Sequence, residues 1–308
     1  MSARRRAAAA TSAGVLIGAG ISLAIAGCGR ETSEPAASSS PAATTSTQQT
    51  VPRASDPIAT PVVLVGLDGF DWVLLDRLID EGRCPTFAAM KQHGAWAQLI
   101  SHRPVLSPLI WTTMATGRLP EDHGIVDFVV HDPTSGRDVP ITNQFRRVHA
   151  FWNVLTELGR SVNVVNWWAT FPAEPINGVM VSERAFYQLL DIGAARTDPA
   201  NVHPPELAEA VLSRLPSSDS VDVAALQDYV NADARMISAE LEAAESAANP
   251  LDNRVHHLRS ILATTRGVLA VSHWLLAEHP ADLLALYIEG PDTIGHRFAH
   301  YLPPRLSW

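Results

Sequence analysis

Apolar and polar positions from residue 59 onward fall into blocks of alternating period. "TPVVLVGLDGF" (60–70) is a continuous apolar run ending in Gly-Leu-Asp-Gly, the pattern of a buried central strand in a parallel sheet. In "DWVLLDRLIDEG" the period changes: Leu74, Leu75, Leu78 and Ile79 share one helical face, and Gly82 stops the run. Pro85 opens a second helix, "PTFAAMKQHG", closed by Gly94. "AWAQLIS" (95–101) predicts a second strand, and "PLIWTTMATG" after it a helix with Ser107 at its cap. "AFWNVLTELGRSVNVVNWWATFP" reads as helix, glycine and strand, and "GVMVSERA" as a further short strand. From Pro204 to Glu278 the pattern is mainly helical. Leu226, Val230, Ile237 and Leu241 recur at near-helical spacing there, and a second helix spans 252–277. "DLLALYIEG" is the last strand. Strands alternating with helices predict one α/β domain over 59–308, a mostly parallel sheet with helices on both faces and a helical insertion at about 204–279.

The first 58 residues have a different character. "MSARRR" is a positive start, "AGVLIGAGISLAIAG" an apolar core and "IAGC" a small-residue cleavage site ending in Cys28. The run is too short and too rich in Gly and Ala for a good permanent span. It resembles the bacterial lipoprotein signal, which makes residues 1–28 a leader and Cys28 the lipidated residue; a plain secretory signal with an incidental cysteine is the alternative. The lipoprotein reading places the protein in the cell envelope, membrane-anchored and facing outside the cytoplasm. With Cys28 used in this way, Cys84 is left alone and no internal disulfide is expected. Residues 29–58 are Ser, Thr, Ala and Pro with almost no large apolar side chain. They cannot bury enough surface to offset their ordering entropy and read as a disordered tether.

Composition changes little. The chain of 308 residues is 46% hydrophobic and 18% charged, ordinary globular values for one sizeable core. Its formal charge of -9 argues against a nucleic-acid partner, which needs a basic face.

Candidate chemistry collects where open α/β sheets place it, at the carboxyl ends of strands. Asp68 closes the first apolar run, where a carboxylate needs a cation or several donors; an Asx turn with Gly69 is the simpler reading. Asp292 and His296 stand four apart in "YIEGPDTIGHRFAHY". In a helix they share a face and offer oxygen and nitrogen donors suited to a zinc-like ion; the simpler reading is a capping aspartate and a surface histidine. His300, four residues further, would extend that face. Ser107, followed by Pro108, caps a helix by one reading. By the other, its hydroxyl stands at a helix N-terminus, a natural phosphate site, and becomes a nucleophile if a divalent metal activates it. Trp167 and Trp168 follow a strand, which places one of them at the mouth of the site; the simpler reading is that at least one lies in the core. The acidic helical segment from Asp222 to Glu245 reads as a solvated cap over the site.

Four stretches in order, "VVLVGLDGFDWVLLDRLIDEGRCPTFAAM", "SPLIWTTMATGRLPEDHGIVDF", "VVNWWATFPAEPINGVMVSE" and "YIEGPDTIGHRFAHY", resemble the alkaline phosphatase superfamily in its type I phosphodiesterase/nucleotide pyrophosphatase-like branch. Within that branch the sequence is similar to bacterial predicted phosphohydrolases or phosphomutases. The resemblance covers most of 60–308 and implies an alkaline phosphatase-like fold. It also implies a phosphate-ester substrate, two divalent metal ions (zinc, with manganese or magnesium as alternatives) and a covalent phospho-enzyme. It makes Asp68, Asp292 and His296 metal ligands and Ser107 a metal-bound nucleophile, nine residues before Thr116; His123 stays structural. Ile110 stands where nucleotide pyrophosphatases carry asparagine, which argues against that activity proper, and "SPLIW" lacks a sulfatase signature. The sequence ends twelve residues beyond His296, before the Asp-His pair and later histidine that such proteins carry, so the resemblance implies a domain incomplete at its C-terminus. Three functions are open on these grounds: a metal-dependent phosphohydrolase or phosphodiesterase working through phospho-serine, a phosphomutase or phosphotransferase of the same superfamily, and a non-catalytic truncated lipoprotein that keeps the scaffold.

Overall fold

A computed structural model describes residues 60–134, 136–186 and 198–301. The leader, the tether and Cys28 lie outside the described residues. The centre is a five-stranded sheet of β1 (Val62–Leu67), β4 (Val162–Val165), β5 (Met180–Val181), β6 (Val202–His203) and β7 (Leu283–Ile288), in the order β1-β7-β4-β5-β6. β1, β7, β4 and β5 run parallel, and β6 joins β5 antiparallel. In register, Gly66 faces Tyr287, and Val165 faces Leu286. A two-stranded hairpin, β2 (Val129–Asp132) with β3 (Arg137–Pro140), stands apart from this sheet. The expected mostly parallel α/β class is the one observed.

Each central strand is apolar on both sides because each side has its own core. Ala285 and Tyr287 of β7 join Trp111, Trp152, Trp167 and Leu64 on one face. Leu284, Leu286 and Ile288 join Val268, Val271 and Leu275 on the other. The first face is covered by α3 (Ser107–Thr116) and α5 (Phe151–Glu157), the second by α9 (Arg254–Glu278). α1 (Trp72–Asp80) and α2 (Pro85–His93) follow β1; short α4 (Pro120–His123) follows α3, and short α6 (Ala208–Leu212) follows β6. A third, smaller core lies apart from the sheet, where Leu226 of α7 (Val223–Gln227) and Ile237 and Leu241 of α8 (Ala234–Glu245) meet Leu258 and Ala263 of α9. The near-helical spacing across 226–241 is therefore carried by two helices, with Asp233 capping the second through a bond from the Met236 N–H.

Three expectations are corrected. β1 is at the edge of the described sheet, not its centre, and only Gly66 along it is buried. Residues 95–101 form no strand, and Ile100 is 88% exposed. A strand exists as part of a ladder, and neither this segment nor the outer edge of β1 has one among the described residues, so local apolar pattern alone does not create it. Ser107 is the first residue of α3; Leu106 holds the cap position, and Ser107 makes no capping hydrogen bond.

Candidate functional site

The site is built where β1 and β7 end side by side. Asp68 follows β1, and the turn it forms is closed by its own Oδ1, which accepts the Gly69 N–H at 3.0 Å. The bond is to the next residue, whereas the Asx turn of the simpler reading closes two residues on. Its Oδ2 is not left over: Tyr287 of β7 donates its hydroxyl to it at 2.6 Å. Gly69 adopts φ +61, and a Cβ there would lie 2.6 Å from the Asp292 Cα. Glycine at this position lets the β1 turn touch the first turn of α10 (Gly290–Phe298), a close approach that any side chain would block.

α10 converts the four-residue spacing into proximity, as expected: Asp292 Oδ1 and His296 Nε2 are 3.4 Å apart on one face, with His296 largely exposed. His300 does not extend that face. It falls in the 3-10 turn Ala299–Tyr301 after α10 and packs its ring on Tyr301 at 4.0 Å.

A third carboxyl joins them. Glu289 sits just before α10, and burial pushes its pKa up to about 7, with the charges of Asp68 and Asp292 adding to the effect. Burial also raises Asp292, as does Asp68, while His296 acts the other way. Carboxyls that raise one another in this way create a place where positive charge is favoured. The sequence reading missed Glu289 and Tyr287. Glu289 ends an apolar strand as Asp68 does, and that signal was available; the Tyr287 hydroxyl bond spans 219 residues and had no local trace.

Ser107 is half-buried at the start of α3. One turn later Trp111 lies against β1, where a Cβ on Gly66 would come within 2.5 Å of its ring. Gly66 and Asp68, two apart, point to the same side of the sheet, and Ser107 and Trp111, four apart, share a face of α3. Ser107 therefore belongs to the side of the sheet that Asp68 faces. The structure brings Asp68 and Asp292 together with Glu289, and sets His296 beside Asp292. It does not bond the Ser107 hydroxyl to any of them.

Carboxylate and imidazole donors have the right chemistry for a divalent cation. Among the described residues, however, no three His, Cys, Asp or Glu side chains are grouped closely enough to hold one. The donors present make a partial set.

The walls are rigid. Trp167 and Trp168 are 1% and 5% exposed, so both belong to the core and neither forms a platform at the site mouth. Their loop leaves β4 through Asn166 and Ala169 at φ 60 and 55, and Asn166 Nδ2 ties it to the Tyr287 carbonyl at 3.0 Å. The Thr170 hydroxyl lies 2.6 Å from the Trp167 carbonyl and 2.7 Å from Glu183 Oε2. The Thr170 N–H donates to the same Oε2 at 3.0 Å, and burial raises the Glu183 pKa while the bonds from Thr170 act the other way. His123 is fully buried, as a structural role requires: Nδ1 accepts from the Ile125 N–H, so Nε2 carries the proton and donates to Thr113 Oγ1 at 3.0 Å. Cys84 is free and half-buried, and no helix of the described residues is long and apolar enough to cross a membrane.

The family described as type I phosphodiesterase / nucleotide pyrophosphatase matches residues 62–305. No protein of curated description matches the sequence. Among solved structures, phosphonoacetate hydrolase from Sinorhizobium meliloti 1021 in complex with phosphonoacetate is similar at 19% identity and TM-score 0.41. The match covers 80% of this chain and 49% of that one. The same protein in complex with phosphonoformate gives 21% identity and TM-score 0.42 over the same shares. The chain thus spans about half the length of these structures.

Proposed function

The chain belongs to the type I phosphodiesterase / nucleotide pyrophosphatase family, within the alkaline phosphatase superfamily, and from that premise we propose that it is a metal-dependent phosphohydrolase with Ser107 as nucleophile. The observation that carries this reading is the meeting of Asp68 and Asp292 across Gly69, a carboxyl cluster on the side of the sheet that α3 covers.

In this reading Asp68, Asp292 and His296 hold divalent cations, zinc by donor type, two in number by family resemblance. When bound, such an ion neutralises phosphoryl oxygens and lowers the pKa of a coordinated alcohol. Ser107 presents its hydroxyl at the N-terminus of a ten-residue helix, where free N–H groups favour a phosphoryl anion. Its Oγ attacks phosphorus in line and loses its proton to solvent as the Oγ–P bond forms. The bond from phosphorus to the ester oxygen breaks, and the leaving oxygen takes its electron pair and a proton. Water then attacks the phospho-serine, releasing phosphate and restoring the hydroxyl. Transfer to another acceptor in this second step would make the protein a phosphomutase or phosphotransferase. A third reading keeps the scaffold without turnover, since the ligand set among the described residues is partial. The proposal also includes a lipid anchor at Cys28, holding the domain at the outer face of a membrane through the 29–58 tether.

The test is hydrolysis of p-nitrophenyl phosphate and bis-p-nitrophenyl phosphate with added zinc. Wild type should turn over at least one ester, and Ser107→Ala should lose that activity. Equal rates in the two proteins would remove Ser107 from the mechanism. Absence of both turnover and zinc binding in the wild type would leave the scaffold reading.

A further inference from the structure

Two unfilled places lie close together on this chain. Among the described residues β1 pairs with β7 on one side and with no strand on the other. Val62 and Asp68 give their N–H groups to the β7 side, to the Asp282 and Ile288 carbonyls at 2.9 and 3.0 Å. In a parallel ladder the alternate residues Val63, Val65 and Leu67 then turn their N–H and C=O groups to the open edge. Such an edge is a template for one more strand. The second place is residues 95–101, an apolar run with strand chemistry and no ladder, in which Trp96 is 57% and Ile100 88% exposed. α2, which leads into this segment, has no buried residue. The segment starts near the end of β1, because Trp96 meets Trp72, the first residue of α1, with ring centroids 5.7 Å apart. The charge beside it is already neutralised: Lys91 lies 4.7 Å over the Trp96 ring and pairs with Asp76 at 2.6 Å. A chain with a formal charge of -9 repels a copy of itself least through a face of this kind.

We propose that this face joins two copies of the chain: residues 95–101 of one copy pair with the open edge of β1 in the other, reciprocally about a two-fold axis. A closed two-fold contact uses the same surface on both copies, and strand addition is a recurrent way for a sheet edge to take a partner. One copy leaves both the edge and the segment unpaired; two copies fill both at once. The added strand meets the outward backbone groups of Val63, Val65 and Leu67 and covers Trp96 and Ile100 in the same step. The interface needs neither a metal ion nor a nucleophile, so it stands or falls separately from the proposed chemistry.

The experiment is sedimentation velocity of the full chain over a concentration series, with hydrogen exchange of the β1 peptide, on wild type, Val63→Pro and Ile100→Lys. Wild type should sediment with twice the mass of the single chain and dissociate on dilution. Val63→Pro blocks a strand alongside β1 and keeps the bonds to β7, since an edge strand admits proline where the N–H faces outward. Ile100→Lys puts a charge on the segment at a position outside the core. Both variants should lose the dimer, and β1 amides that exchange slowly in the wild-type dimer should exchange fast in Ile100→Lys. If Val63→Pro does not fold, Ile100→Lys and its exchange pattern decide. A wild type that stays a single chain at every concentration overturns the proposal, whether the face is then bare or binds phosphatidylcholine vesicles in a flotation assay. A dimer that survives Ile100→Lys, or whose β1 amides exchange as fast as those of the single chain, also overturns it.

Discussion

Replacing Gly69 by alanine tests the join between Asp68 and α10 with a single methyl group. Two costs add. At φ +61 an L side chain pays the left-handed penalty, about 1–2 kcal/mol. The new Cβ would also stand 2.6 Å from the Asp292 Cα and 3.0 Å from its N, and these are backbone atoms that cannot swing aside. Overpacking of that kind costs about 1–3 kcal/mol, and the sum is roughly 2–5 kcal/mol. For a domain of this size about 1 kcal/mol moves the melting temperature by ~2–4 °C, so Gly69→Ala should melt roughly 4 to 20 °C below wild type. Gly295→Ala is the control. It lies in the same helix, between Asp292 and His296, with nothing within 4 Å of its Cβ position, and should stabilise by about 0.5–1 kcal/mol as an ordinary helical Gly-to-Ala change. Both are read by circular dichroism melts and by zinc titration, and only Gly69→Ala should lose zinc affinity. If Gly69→Ala melts with the wild type and binds zinc as well, the contact does not exist and the site geometry fails with it.

Two other perturbations have signs fixed by the structure. Glu289, with a pKa pushed from the ordinary 4.5 up to about 7 by burial, binds its proton more tightly folded than unfolded. Its contribution to stability is present below about pH 4.5 and is lost as pH rises to about 7, on the order of 3 kcal/mol; in Glu289→Gln, chemical denaturation should show that slope flattened. Arg146→Met breaks a buried pair in which Arg146 Nη2 sits 2.7 Å from Glu174 Oε2, with the side chains 5% and 15% exposed. Trp152 Nε1 and Asn153 Nδ2 still reach the stranded carboxylate, so the loss should sit near the low end of the 3–5 kcal/mol range, about 3 kcal/mol by urea melts.

What could be read along the chain was what is local. The helix over Asp292 and His296, the Asp68–Gly69 turn and the two-faced apolar strands each follow from spacing within a few residues. What could not be read depends on partners far away. The apolar run of 95–101 has strand chemistry, but its state is decided by whether a ladder reaches it. Ser107 precedes Pro108 as a cap residue would, yet α3 begins one residue earlier in register and leaves the hydroxyl uncommitted. Tryptophans after a strand suggest a platform until their loop turns inward through two left-handed residues. Glu289 ends an apolar strand, but Asp292, three residues on, carries the stronger local pattern.

The central claim is that the Ser107 oxygen bonds to phosphorus. Rapid acid quench of the zinc-loaded chain with p-nitrophenyl phosphate, followed by mass analysis of the peptide containing Ser107, reads that bond directly. The account predicts one phosphoryl group on Ser107 in the wild type and none in Ser107→Ala. Nitrophenol release by the wild type with Ser107 unmodified at every quench time would contradict it.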